Sequence, residues 1–365
     1  MSLSKFFVLI IFFYLSFSGY SQNKNLHFNP TVYNSEDSTV KKILIRWEKC
    51  LNGDVPLEII EHQDNRLQLI GLCSDAISPD YQYILLNVRN IKDNIFELKT
   101  LSYTNSETNG INIIAVFNIL AICDDNKIRF IDPFLYNLKE WTLIEKNSIC
   151  LHMPPSISFD FPIIDSLEKF NRKMANLFEV RPIPFSYVLF ESYSKLWEIA
   201  GFDFRDDMFT TSQQRGIALT PTNIILSSIP VHSHEIVHLY IRQKWGEKAN
   251  NWFNEGVATF LGGHRGEPLK HHLQKIYFFL QNNPKINLKN LLEYQKVDDY
   301  ADFRYIIGGE ICKLIYEIHG INGIYSALST ADDSKSIYDY IEVSLNVNRN
   351  DLHAFLIENI KKDIK

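Results

Sequence analysis

His234-Glu235-Ile236-Val237-His238 sets two imidazoles four residues apart, with a carboxylate beside the first. On a helix, residues four apart project from one face. Both rings can then grip a single metal ion, and Zn²⁺ is the usual occupant of this ligand set. Glu235 faces past the ion toward the water that it activates. Glu255, in Asn254-Glu255-Gly256-Val257-Ala258, offers a third ligand from a second helix. His234, His238 and Glu255 would leave the fourth position open, which distinguishes catalytic from structural zinc. The chemistry such a set performs is hydrolysis. The ion polarises a carbonyl and lowers the pKa of its water from 15.7 to about 7. Glu235 takes the proton and passes it to the leaving amine.

The elements that must hold these groups are legible nearby. Ser227 or Ser228 suits a cap and Pro230 a first turn, so the histidine helix is expected to run from about Pro230 to Gly246. A second helix should start near Asn251 and fade at Gly262-Gly263. Glu255, Ala258, Thr259 and Gly262 share one face of it, and three of the four are small, so the two helices can approach closely. Glu247 and His264 compete less well as third ligand, one in a turn and the other after two glycines. Ile241 and Lys244 stand where another zinc-peptidase class carries Gly and a third His. His232 falls on a different face from His234, which suits a supporting or surface role. His264, His271 and His272 read as surface residues. Ile307, Ile311, Leu314, Ile315 and Ile318 form an apolar stripe expected to face the core.

In these blocks the chain resembles the gluzincins, within them the peptidase MA-like group that includes the aminopeptidases. The likeness rests on His234-Glu235-x-x-His238, Trp252-Phe253-Asn254-Glu255-Gly256-x-Ala258 and Tyr305-Ile306-Ile307-Gly308-Gly309. It covers roughly residue 149 to the C-terminus. It implies one Zn²⁺ on His234, His238 and Glu255, Glu235 as general base, and Tyr305 stabilising the oxyanion, with Tyr300 its nearest rival. It also implies a small sheet whose edge strand, within residues 216–227, holds a peptide or protein substrate by strand addition. Two departures stand out. Gly216-Ile217-Ala218-Leu219 lacks the glutamate with which aminopeptidases hold a free N-terminus. Thr259 stands where thermolysin-like relatives use Asp to orient a ligand histidine. The segment 96–141 is similar to the sheet-rich N-terminal domain of secreted bacterial proteins that carry such a peptidase module.

The rest of the chain sets the frame. With 365 residues, a net charge of −6 and 45% hydrophobic residues, it can bury one or two ordinary cores. Mild acidity without a Lys/Arg run gives no reason to expect nucleic acid. Lys5 precedes an apolar run at 6–18 and small residues flank Tyr20, so residues 1–21 read as a cleaved export signal. At about 1.5 Å per residue that run is roughly 20 Å long, short of a bilayer core of ~30 Å. A periplasmic or extracellular protein with no integral membrane segment after cleavage is expected. Cys50, Cys73, Cys123, Cys150 and Cys312 are scattered and odd in number, which suits neither a disulfide framework nor a thiolate site.

Val40, Ile43, Leu44, Trp47 and Leu51 fall at helical spacing, with Ser38 or Thr39 as cap and Gly53 as stop. Alternation at 96–99 and 127–130, a β-prone run at 113–122 and a turn at 124–126 predict an antiparallel sheet. Helical periodicity over 164–178 and strand-like runs at 186–190 and 223–226 follow Pro154-Pro155. The expected fold class is α+β. Residues 22–150 form an N-terminal antiparallel-sheet domain. Residues 151–365 form a gluzincin-type domain, a small mixed sheet with active-site helices and a helical C-terminal region. A different class of function also fits: a cell-envelope binding or scaffold protein that keeps the zinc fold without useful catalysis.

Overall fold

The computed structural model describes residues 26–29, 32, 35–52, 54, 76–78, 80–106, 110–124, 127–158, 162–206, 208–209, 215–220, 222–294, 296–297 and 302–365. The segment read as an export signal, Gly53, Cys73, Tyr300 and the turn pair Asp125-Asn126 lie outside them. In chain order the elements begin with β1 (Leu26–Phe28), α1 (Ser38–Leu51), β2 (Gln82–Lys92), β3 (Ile95–Ser106), β4 (Gly110–Asp124), β5 (Lys127–Ile131) and α2 (Pro133–Asn137). Next come β6 (Thr142–Lys146), β7 (Ile149–Met153), α3 (Ile163–Phe178), β8 (Phe185–Leu189), α4 (Tyr193–Ile199), β9 (Phe202–Arg205), β10 (Gly216–Leu219) and β11 (Ile224–Ser227). The remainder is helical: α5 (Ser233–Trp245), α6 (Asn251–Gly262), α7 (Leu269–Asn282), α8 (Phe303–Leu328), α9 (Ser334–Leu345) and α10 (Leu352–Asp363).

Two compact units result. One comprises Met1–Lys139 with Trp197–Phe209, the other Glu140–Leu196 with Thr210–Lys365. The first is built on a six-stranded sheet of order β1-β2-β3-β4-β5, with β9 also paired to β4. Alternation dictates its faces: Phe96, Leu98 and Thr100 are buried while Glu97 and Lys99, between them, are not. The sheet is mixed rather than purely antiparallel, because β1 lies parallel to β2 with Leu26 opposite Tyr83. Helix α1 turns Ile43, Leu44, Trp47 and Leu51 inward. The Trp47 indole N–H donates to Thr100 Oγ1 at 3.2 Å and its ring meets Phe130 edge-on at 5.2 Å. The cap is Asp37, not Ser38 or Thr39: its carboxylate accepts from the Thr39 and Val40 amides. An ionised cap also gains from the positive end of the helix, which a hydroxyl does not.

The second unit carries a five-stranded sheet of order β10-β11-β8-β7-β6. Strands β7, β8 and β11 run parallel in its centre, and the two edges run antiparallel to their neighbours. The central strands are buried on both faces, as strands covered on both sides must be. Helix α3 is tied to α5 through Tyr240, whose hydroxyl donates to Asn171 at 2.5 Å.

Close helix packing explains the glycines. A Cβ on Gly262 would come within 2.5 Å of the His234 amide nitrogen, so α6 crosses the start of α5 backbone to backbone. A Cβ on Gly256 would come within 2.8 Å of Gly308 on α8. Helix α6 is thus clamped between α5 and α8. In the apolar stripe of α8, Ile307, Ile311 and Ile315 are fully buried, but Ile318 is 56% exposed. It lies just before Gly320, whose φ of 61° breaks the helix and ends the stripe's periodicity. Among the described residues, no helix is long and apolar enough to cross a membrane. Among the described residues, Cys123 and Cys312 are free thiols.

Candidate metal centre

Helix α5 begins at Ser233, three residues later than Pro230 suggests. Ser227 caps nothing there; its hydroxyl accepts from the Ile229 amide at 2.9 Å and meets His232 Nδ1 at 3.1 Å. The helix ends at Gly246, whose φ is 61°. Helix α6 starts as expected at Asn251, because the Asn250 side chain accepts from the Phe253 amide.

These two helices bring His234, His238 and Glu255 together as a set able to hold a metal ion. Nε2 of His234 lies 3.2 Å from Oε2 of Glu255, and Nε2 of His238 lies 3.5 Å from the same oxygen. Ligands about 2.0–2.1 Å from a common tetrahedral centre stand about 3.3 Å apart, so the spacing fits an ion of zinc size.

The other ring nitrogens decide what these atoms need. Nδ1 of His234 is 2.8 Å from the Gly263 carbonyl, and Nδ1 of His238 is 3.0 Å from Asn254 Oδ1. A carbonyl only accepts, so each Nδ1 carries a proton, and it is Nε2 of each ring that faces Glu255. With both Nε2 atoms unprotonated, two lone pairs would converge on a half-buried carboxylate and repel it unless a cation sat among them. The donor set therefore fits a divalent metal ion. Without one, a proton is drawn in instead. Burial pulls the His238 pKa down, but hydrogen bonding to Glu255 and its charge outweigh this and push it up to about 9. Burial works against Glu255's charge, and the two histidines outweigh it, holding its carboxyl well below the usual range.

Asn254 and Gly263 hold the two histidine rings, a part that the histidine and glutamate pattern does not announce. Thr259 does no such work: it is buried against Gly309 of α8. Asn254 is conspicuous only as the neighbour of Glu255, and Gly263 acts through its backbone, which no side-chain pattern reveals.

Glu235 is buried at the foot of a cavity of about 540 Å³ that also takes in His234, His238, Glu255, Tyr305 and the β10 edge. Its Oε1 is 3.8 Å from Nε2 of His232. Burial lowers the His232 pKa to about 4, so that ring stays neutral. Tyr305, at the start of α8, is half-buried and stacks on His264 with ring centres 4.5 Å apart. Burial and then the charge of Glu255 raise its pKa, so the phenol keeps its proton at neutral pH. His264 and His272 are buried, not surface residues. His272 Nε2 donates to the His264 carbonyl at 2.8 Å, because the chain folds back after Gly263 and brings the His264 ring against both Tyr305 and His272.

Comparison with known protein families and with curated proteins finds no match for this chain.

Proposed function

We propose that this chain is an exported, single-zinc peptidase of gluzincin type, with its chemistry in the second unit. The observation that carries the reading is the convergence of the two Nε2 atoms on one Glu255 oxygen, with both Nδ1 atoms already committed. His234, His238 and Glu255 would hold the ion. When bound, it would polarise a peptide carbonyl and acidify a water.

The chain's own groups supply the rest. Glu235 lines the cavity beside the ligand set and takes the attacking water's proton, then returns it to the departing amine. The Tyr305 phenol, kept protonated, donates to the oxygen on which negative charge develops. Among the described residues, the edge strand β10 has one side of its backbone unpaired within its sheet, and it lines the same cavity through Gly216, Ile217 and Ala218. Extended substrate adds there as a further strand.

The test is Glu235→Gln. It should keep one zinc per chain while chelator-sensitive cleavage of a mixed peptide library falls by a factor of about 10²–10⁴. Undiminished cleavage would refute the assignment of Glu235. A fully zinc-loaded wild-type protein that cleaves nothing would point instead to the binding or scaffold reading.

A further inference from the structure

A second cavity, of about 300 Å³, adjoins the first and shares Gly216, His234, Glu235 and Tyr305 with it. Its charged lining is Arg215, Arg265 and Glu235. The larger cavity has the opposite balance: Glu235, Glu247, Glu255 and Asp332 face Arg242, which is itself ion-paired to Glu247. The two cavities therefore differ in sign.

Both arginines are held in place. Arg215 extends the β10–β11 ladder: its carbonyl accepts from the Ser228 amide at 3.0 Å, and its guanidinium lies 4.9 Å over the Tyr193 ring. Arg265 sits at the tip of a two-residue hairpin closed by His264 and Glu267. Arg265 and Gly266 have φ of 51° and 82°, the positive values that a tight hairpin turn of the I′ type requires. Asn or Gly is the favoured residue at such a position, and arginine is strained there. An arginine kept at a strained position points to a use for its guanidinium.

Strand direction says which part of a substrate arrives there. A chain added antiparallel to β10, the stronger ladder, runs from the Thr220 end toward Gly216. Its N-terminal part lies in the larger, acidic cavity and its C-terminal part enters the arginine cavity. We propose that Arg215 and Arg265 form a subsite for a substrate carboxylate on the leaving-group side of the cut. That carboxylate is either the free C-terminus of a peptide cleaved near its end or an Asp or Glu side chain just past the scissile bond. This rests on the peptidase reading above.

The test uses the full-length Glu235→Gln protein loaded with zinc, so that peptides bind without turnover. Calorimetry compares N-acetylated peptides identical except for a free or amidated C-terminus, and an amidated pair with Asp or Asn at the same position. At least one carboxylate member should bind about tenfold or more tighter than its uncharged twin. The pair that discriminates identifies the source. Arg215→Gln and Arg265→Asn, each added to that background, should bring the ratio near one with zinc content unchanged. Arg265→Asn should also raise the melting temperature, because Asn suits the turn. Equal binding within both pairs, or a ratio that survives both variants, overturns the inference and leaves the peptidase reading standing. A zinc-loaded protein that binds none of the peptides overturns both.

Discussion

Replacing Asn254 by Ala isolates the hydrogen bond that fixes the His238 ring. Asn254 Oδ1 accepts from Nδ1 at 3.0 Å, which keeps the proton off the nitrogen that faces Glu255. Without that acceptor the ring samples the other tautomer and other rotations, and only a fraction of molecules presents a lone pair to the ion. Loss of such an outer partner typically costs 10–100-fold in metal affinity, or about 1.4–2.8 kcal/mol. Asn254 is half-buried on α6, and alanine is the better helix former, so apo stability should move by less than about 1 kcal/mol. Competition with a chromophoric chelator measures zinc affinity directly, and thermal melting of the apo protein measures the rest. Asn254→Asp keeps an acceptor and adds charge, so it should bind zinc at least as well as wild type. If Asn254→Ala binds zinc within twofold of wild type, the ring is oriented by something else and the reasoning about converging lone pairs fails.

Zinc affinity should rise about tenfold per pH unit from pH 6.5 and level off near pH 9. Burial alone would free His238 of its proton, but Glu255 raises its pKa to about 9, and that proton must leave before the ion enters; a flat profile would refute this. Glu310 on α8 is fully buried, and burial raises its carboxyl pKa to about 8 against 4.5 unfolded, so the folded state favours the protonated form. Its stability contribution is full below pH 4.5 and lost as pH rises through 8. Glu310→Gln should flatten the denaturation midpoint across that window and stabilise by a few kcal/mol, roughly, at pH 9; parallel pH curves for the two proteins would count against it. Gly256→Ala places a methyl 2.8 Å from Gly308 and 2.9 Å from Cys312 Sγ, so α6 must move. A loss of about 1–3 kcal/mol with weaker zinc retention is expected, and an unchanged melting temperature would contradict the clamp.

Much of the helical scaffold is legible from local signals. Asn250 before Asn251 and Gly246 at the end of α5 are capping chemistry, which acts within one turn and is visible in the sequence. The alternation at 96–99 likewise announces β3. What escapes is non-local or carried by backbone. The parallel pairing of β1 depends on a partner more than fifty residues away, Leu26 opposite Tyr83. Gly263 serves His234 through a carbonyl that every residue type possesses. His264 and His272 look like solvent-facing polar residues until the fold-back after Gly263 buries them. Pro230 misleads because the chain spends three more residues anchoring to Tyr187, whose hydroxyl accepts from the His232 amide at 2.9 Å, before the helix starts.

Strand β9 carries a consequence for synthesis. Asn118 donates from its amide and its side chain to the Gly201 carbonyl, a residue 83 positions further along. The first unit cannot complete its sheet until more than half of the polypeptide has left the ribosome, so its barrier to closure includes the entropy of a long loop. A fragment cut to begin at Glu140 would carry Trp197 and Phe202 with no sheet to bury them, and the stretch should be sticky. The intact chain is the sensible unit for expression.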